Sequence, residues 1–205
     1  RYHHTLVLTS TGAVYGFGPN REGALGPFSA FLDGYVVSIG INQVKAIAAG
    51  EVHSLALRND GSVWAWGYDG DGQVAAGGST PSPTRVVGLP PIKAIAASTA
   101  ASFALDEAGN VWSWGSVRLL GRPGSAAPAR IESLTGVTAI SVGNYNAFAL
   151  MGDGTVQAWG DNLYGRVGVA STDGLPATIP GLTDVVEVNG AEFHGMALTR
   201  SGAVY

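Results

Sequence analysis

The chain has 205 residues, enough for one sizeable domain. Its 11 Lys and Arg against 15 Asp and Glu give a formal charge of −4 with no basic stripe, which argues against nucleic-acid binding. The lack of Cys excludes a disulfide framework, a thiol nucleophile and a thiolate metal site; no apolar run approaches the roughly 18 residues of a membrane span, and the N-terminus does not read as a signal peptide.

The first unit, residues 1–43, carries LVLTSTGAVYGFG (6–18), and because the chain opens inside a repeat and without Met it reads as a piece of a longer precursor. The second, 44–91, holds four predicted strands: VKAIAAG (44–50), HSLAL (53–57), SVWAWG (62–67) and, more weakly marked, TRVVG (84–88). The third, 92–136, repeats them as IKAIAAS (92–98), FALDEAGNVWSWG (103–115) and ARIES (129–133). The fourth, 137–184, gives VTAISVG (137–143), FALMGDGTVQAWG (148–160) and ATIPG (177–181). A partial fifth, 185–205, gives VVEVNGA (185–191) and MALTRSGAVY (196–205). The turn glycines Gly12, Gly61, Gly109, Gly154 and Gly202 recur at spacings of 49, 48, 45 and 48 residues. That length fits four short strands and their turns, with glycine supplying the positive φ of a tight hairpin.

Alternation along Val63-Trp64-Ala65-Trp66 and Leu55-Ala56-Leu57 makes both faces of each sheet apolar. Such a sheet needs a neighbour on each side, and the small pairs Ala48-Ala49 and Ala96-Ala97 suit strands crowded around an axis. The expected fold is all-β: a β-propeller with blades of four-stranded antiparallel sheets. A parallel β-helix fits less well, since its coils are shorter and need no hairpin glycine in each.

The segment AGEVHSLALRNDGSVWAWGYDGDGQVAAG (49–77), with its partial copies in register, resembles the regulator of chromosome condensation repeat. The resemblance implies a propeller whose best-known ring has seven blades, and functions that range from exchange on a small GTPase, through parts of ubiquitin ligases, to bacterial β-lactamase inhibition. Gly12 and Gly202 lie four repeat lengths apart, so the last residues copy the first element and would compete with it in a closed four-bladed ring. An open fragment of a larger propeller is therefore expected over a ring completed by a second chain or a closed small ring. Open blade edges make self-association a further expectation.

His4, His53 and His194 share one repeat position, occupied elsewhere by Ala101 and Asn146; separate blades would keep them apart, and each is expected to bond a neighbouring loop backbone. His3 is expected to be exposed at a loop tip. Phe17, Trp64, Trp66, Trp112, Trp114 and Trp159 recur as core aromatics rather than as an aromatic cage. Asp69-Gly70-Asp71-Gly72 alternates carboxylates as a Ca²⁺ loop can, but its copies lose the spacing and an ordinary turn is expected. No catalytic arrangement, cofactor motif or metal set stands out.

The loops that vary between copies are the place to look for function. They are Tyr2-His3, Glu51-Val52, Thr99-Ala100, Asn144-Tyr145 and Glu192-Phe193 before the His position, and Tyr68-Asp69, Ser116-Val117-Arg118 and Asp161–Tyr164 after the Trp-Gly. The third unit is also shortened and carries Val-Arg-Leu-Leu-Gly-Arg-Pro-Gly at 117–124. Aromatic tips with Arg118, Arg122 and Arg166 compose a protein-binding rim, with Tyr145, Phe193, Tyr164, Tyr68 and Arg118 as contact residues. The expected function is a non-catalytic protein-binding propeller without membrane insertion. The rival is a structural or surface-display array, an adhesin or spacer, and GTPase exchange ranks third. The Ala- and Arg-rich composition reads as bacterial and slightly favours an extracellular or cell-surface setting.

Overall fold

The computed structural model describes residues 4–28, 35–123, 126–170 and 173–205; Tyr2, His3 and Gly124 lie outside them. Seventeen strands form five separate antiparallel sheets among these residues. The first holds β1 (Thr5–Leu8), β2 (Val14–Phe17) and β3 (Val37–Ser38). Three complete blades follow: β4 (Val44–Ala49) to β7 (Thr80–Arg85), with β5 (His53–Arg58) and β6 (Val63–Gly67) between; β8 (Ile92–Ala97), β9 (Ala101–Asp106), β10 (Val111–Gly115) and β11 (Ala129–Arg130); and β12 (Val137–Val142), β13 (Asn146–Met151), β14 (Val156–Gly160) and β15 (Ala177–Thr178). The last sheet pairs β16 (Val185–Gly190) with β17 (Gly195–Thr199), and a single bridge from Leu198 to Val204 begins its third strand.

The meander is the one the pattern predicts, with two differences. The fourth strand is only two residues long in the third and fourth blades, and in the second it starts at Thr80, ahead of the segment marked by the sequence. Pro81 and Pro83 cannot donate to a ladder, which confines this strand to the outer edge. Each complete blade's inner strand, and that of the fifth, also shifts register after its first residue, so Lys45, Lys93, Thr138 and Val186 are extra residues that strengthen the local twist.

The blades stack in series: β1 packs on β4, and the inner strands pack β4 on β8, β8 on β12 and β12 on β16. Every buried apolar cluster straddles a joint between two blades. Leu55, Leu57 and Val74 of the second blade meet Ile92, Ala104 and Trp114 of the third, and Phe103, Leu105 and Ile131 of the third meet Val137, Ala149 and Trp159 of the fourth. A blade has no core of its own; its stability lies in its neighbours.

One tryptophan per blade makes this joint specific. Trp66 Nε1 donates to Ala24 O at 2.8 Å, Trp114 to Gln73 O at 2.8 Å and Trp159 to Leu119 O at 3.0 Å, so each indole pins the loop of the preceding blade. The hairpin glycines pin the opposite rim. Gly61, Gly109 and Gly154 sit at φ of 79°, 83° and 81°, and each carbonyl accepts the first N–H of the next blade's inner strand at 3.0 Å. A Cβ there would come within 3.2 Å of that next strand or the residue before it, so glycine is needed for its backbone angle and for the approach.

Of the six aromatics expected in the core, Trp66, Trp114 and Trp159 are fully buried. Trp64 and Trp112 are half-buried on the outer part of the blade, where Trp64 Nε1 donates to Ser62 Oγ and Trp112 Nε1 to an Asp106 carboxylate oxygen. Phe17 is 41% exposed, on a face of the first sheet that no other described blade covers.

Candidate functional site

His4 and His53 form part of a second interblade link rather than bonding loop backbone directly. His53 Nε2 lies 2.9 Å from Ser102 Oγ of the next blade, and that hydroxyl donates to Gln73 O at 2.8 Å. Since the serine proton goes to the carbonyl, the hydroxyl must accept from Nε2–H, and this fixes the tautomer. His4, Ser54 and Ala24 O repeat the chain one joint earlier, at 2.7 and 2.8 Å. The same carbonyls take the Trp66 and Trp114 bonds, so one loop oxygen ties together two donors of the following blade.

At the third-to-fourth joint this chain is gone. Ala101 stands in place of the histidine and Ala147 in place of the serine. A compensating change lies beside them. A Cβ at Gly50 would fall 2.5 Å from His53 Nδ1, so glycine accompanies the ring; where the ring is missing the equivalent residue is Ser98, whose hydroxyl bonds Ala101 N and O at 2.9 and 3.0 Å.

The loop after the third strand differs at the same joint. In blades one, two and four an Asn or Asp side chain staples it: Asn20 Oδ1 accepts from Leu25 N, the Asp69 carboxylate from Val74, Ala75, Ala76 and Gly78 N, and Asn162 Oδ1 from Val167 N. The Asp69–Gly72 segment is thus a turn organised by backbone donors. In the third blade the staple position is taken by Ser116-Val117-Arg118, the loop reaches Leu119 two residues sooner, and Arg122 braces it through Ser113 O and Ala127 O at 2.8 and 2.6 Å.

Four of the five residues expected to contact a partner come together on this rim. Tyr145 and Phe193, from adjacent blades, flank the Arg166 guanidinium at 5.7 and 5.4 Å from their ring centres. Arg166 is the organising group: its side chain is only 6% exposed, its Nε donates to Leu163 O at 2.9 Å and it lies 3.5 Å from the Asp161 carboxylate. Tyr164 projects at the tip of that loop, 92% exposed, and Phe193 is 57% exposed. Arg118 joins Tyr145 in lining one cavity, while Tyr164 and Phe193 line another with Arg166. Tyr68 stands one blade away and folds over Gly70, outside this cluster. His194 lines the second cavity, whereas His4 and His53 are buried structural groups. Sequence reasoning missed Asp161 as a partner of Arg166, a pairing of residues five apart across a loop with no periodicity to reveal it.

This geometry defines a class: consecutive blades of a β-propeller, locked through Trp, Gly and His positions, with one rim that departs from the repeat. A family description, the regulator of chromosome condensation (RCC1) repeat, matches residues 44–73 and 137–166, and a second description of the same repeat matches 60–105. The human regulator of chromosome condensation is 34% identical over 87 residues, 41% of this chain and 21% of that protein. A Caenorhabditis elegans homolog of the X-linked retinitis pigmentosa GTPase regulator is 35% identical over 91 residues, 42% of this chain and 7% of that protein. Among solved structures, Saccharomyces cerevisiae Prp20p superposes with a TM-score of 0.84 at 26% identity, over 99% of this chain and 54% of that one. Human WBSCR16 superposes at 0.83 and 24% identity, over 97% and 56%. The chain spans about half the length of these solved propellers and about a fifth of the human regulator.

Proposed function

We propose that this chain is a non-catalytic propeller that binds a protein partner through the rim loops of its third, fourth and fifth blades. The observation that carries the reading is Arg166, held between Tyr145 and Phe193 and anchored to Asp161, in the loop that carries the exposed Tyr164. Aromatic rings pre-positioned around a desolvated arginine can bury area on association with little further loss of side-chain freedom. Exposed Val117, Leu163 and Leu175 extend the apolar surface along the same loops. The similarity to Prp20p, whose structure is described with its binding to Gsp1p and histones, and to yeast RCC1 solved with bound Kap60, supports protein recognition as the general role.

The test compares affinity capture from an extract of the native host by the parent chain and by a Tyr145→Ala/Phe193→Ala variant with matched thermal melts. A protein retained by the parent and lost about tenfold or more by the variant is the expected result, the scale of a hot-spot truncation. Equal retention by both would remove this rim from consideration. A structural array is the second reading, favoured by exposed apolar residues on both terminal sheets, among them Phe17, Met196 and Val204.

A further inference from the structure

Two independent departures from the repeat fall on one joint. Loss of the His–Ser pair at Ala101 and Ala147, and shortening of the loop at Ser116–Arg118, both open the seam between the third and fourth blades. The result is a cavity of about 260 Å³ lined by Ser98 to Ala101, Leu119 and Tyr145. It shares Arg118 and Asp161 with a wider groove of about 770 Å³, whose walls include Val117, Leu163 and Leu175.

The polar groups of this cleft are unequally engaged. The Asp161 carboxylate accepts from Leu163 N at 2.8 Å and pairs with Arg166, so its charge is compensated. Arg122, in the groove wall, donates to backbone carbonyls, and Asp173 lies across from it. Arg118, by contrast, is exposed and forms no ion pair among the described residues. Thr99 lines the smaller cavity, but its hydroxyl oxygen is buried beneath the cavity wall. An exposed guanidinium beside a groove with Val117, Leu163 and Leu175 in its walls is a ready site for a carboxylate with apolar neighbours.

We infer that the seam between the third and fourth blades is a peptide-docking cleft that receives an acidic side chain of an extended segment of the partner. The carboxylate pairs with Arg118, and flanking apolar residues of the peptide lie along Val117, Leu163 and Leu175. This rests on the rim being a protein-binding surface, and it narrows that surface to one seam and one chemistry. The groove's volume, the exposed Val117, Leu163 and Leu175, and Arg118, which has no ion pair among the described residues, together select an acidic residue among apolar neighbours over a basic segment.

The probe is a displayed library of random dodecapeptides panned on the 205-residue chain, followed by synthesis of the enriched sequence and titration by fluorescence anisotropy. The expected peptide carries an Asp or Glu next to apolar residues. Its affinity should fall roughly tenfold or more with Arg118→Glu. Replacing the peptide's acid by its amide should reproduce the Arg118→Glu loss. Enrichment of no peptide, or of peptides that bind Arg118→Glu as tightly as the parent, would overturn the inference. Peptides that keep their affinity for Arg118→Glu but lose it with Tyr164→Ala/Phe193→Ala would overturn the cleft while leaving the rim as the binding surface.

Discussion

His53 shows how far a residue's role is set by its surroundings. Histidine at a recurring position invites a reading as base or ligand, yet its ring is fully buried and its Nε2–H is committed to Ser102. Burial, reinforced by the neighbouring His4, lowers its pKa from the usual 6.5 to about 3. Protonation would add a donor at Nδ1, which has no hydrogen-bond partner. The folded protein therefore holds this imidazole neutral where the unfolded chain takes up a proton, and stability is lost as pH falls from about 6.5 toward 3. The loss should reach about 2 kcal/mol at pH 5, since each pH unit inside the window is worth about 1.4 kcal/mol. His53→Asn, which copies the residue the fourth blade carries at Asn146, should flatten this part of the profile. Urea unfolding at pH 7 and pH 5 measures it; an equal pH dependence in parent and variant would show that other groups control acid lability.

At the scale of the blade, the joint between neighbours is the unit that the residues specify. The exchange of Gly50 and His53 for Ser98 and Ala101 is a steric trade, because the ring and a Cβ on the preceding strand's end cannot share the space. Ala101→His alone should therefore destabilise by about 1–3 kcal/mol, the usual cost of overpacking. Adding Ser98→Gly and Ala147→Ser should recover the loss, by restoring a histidine, a hydroxyl and the Leu119 carbonyl to the order seen at the two earlier joints. Thermal melts of the parent, the single and the triple variant decide this; a neutral Ala101→His would show that the seam has room for both groups. Much of the blade was legible from sequence, because hairpin glycines and Trp-Gly endings recur in strict register. The bulges at Lys45, Lys93, Thr138 and Val186 were not, since an extra residue in an apolar strand leaves no break in composition. The short outer strands were also obscure: two ladder partners impose little pattern. Tyr145, Phe193 and Tyr164 could be singled out as variable aromatic tips, but their meeting around Arg166 depends on the angle between blades, which no local spacing encodes.

For the molecule as a whole, the two end faces follow the same rule as the internal joints. The three joints from the first blade to the fourth each seat one indole of the following blade against a loop carbonyl of the preceding one, at Ala24, Gln73 and Leu119. By repeat position the next such carbonyl is that of Arg166, and beside it lies a cavity of about 360 Å³ walled by Phe148, Val167, Leu182, Val188 and Ala197. On the first sheet, Phe17 holds the aromatic position of Trp66, with Tyr15 and Val7 exposed around it. Blade faces that match inside the chain also match between chains, so the 205-residue polypeptide should associate head to tail, with β1 and β2 of one copy taking the place of β17 of another and Phe17 entering the cavity beside Arg166. Phenylalanine fills such a slot without supplying its N–H. Phe17→Trp should therefore strengthen association, and Phe17→Asp should abolish it. Light scattering after size exclusion, across a range of concentrations, reads both effects. A mass that rises with concentration, further for Phe17→Trp and not at all for Phe17→Asp, is the expected pattern. A single monomeric mass for the parent and for Phe17→Trp would mean that the exposed faces do not recognise one another, and that the rim alone carries the protein's interactions.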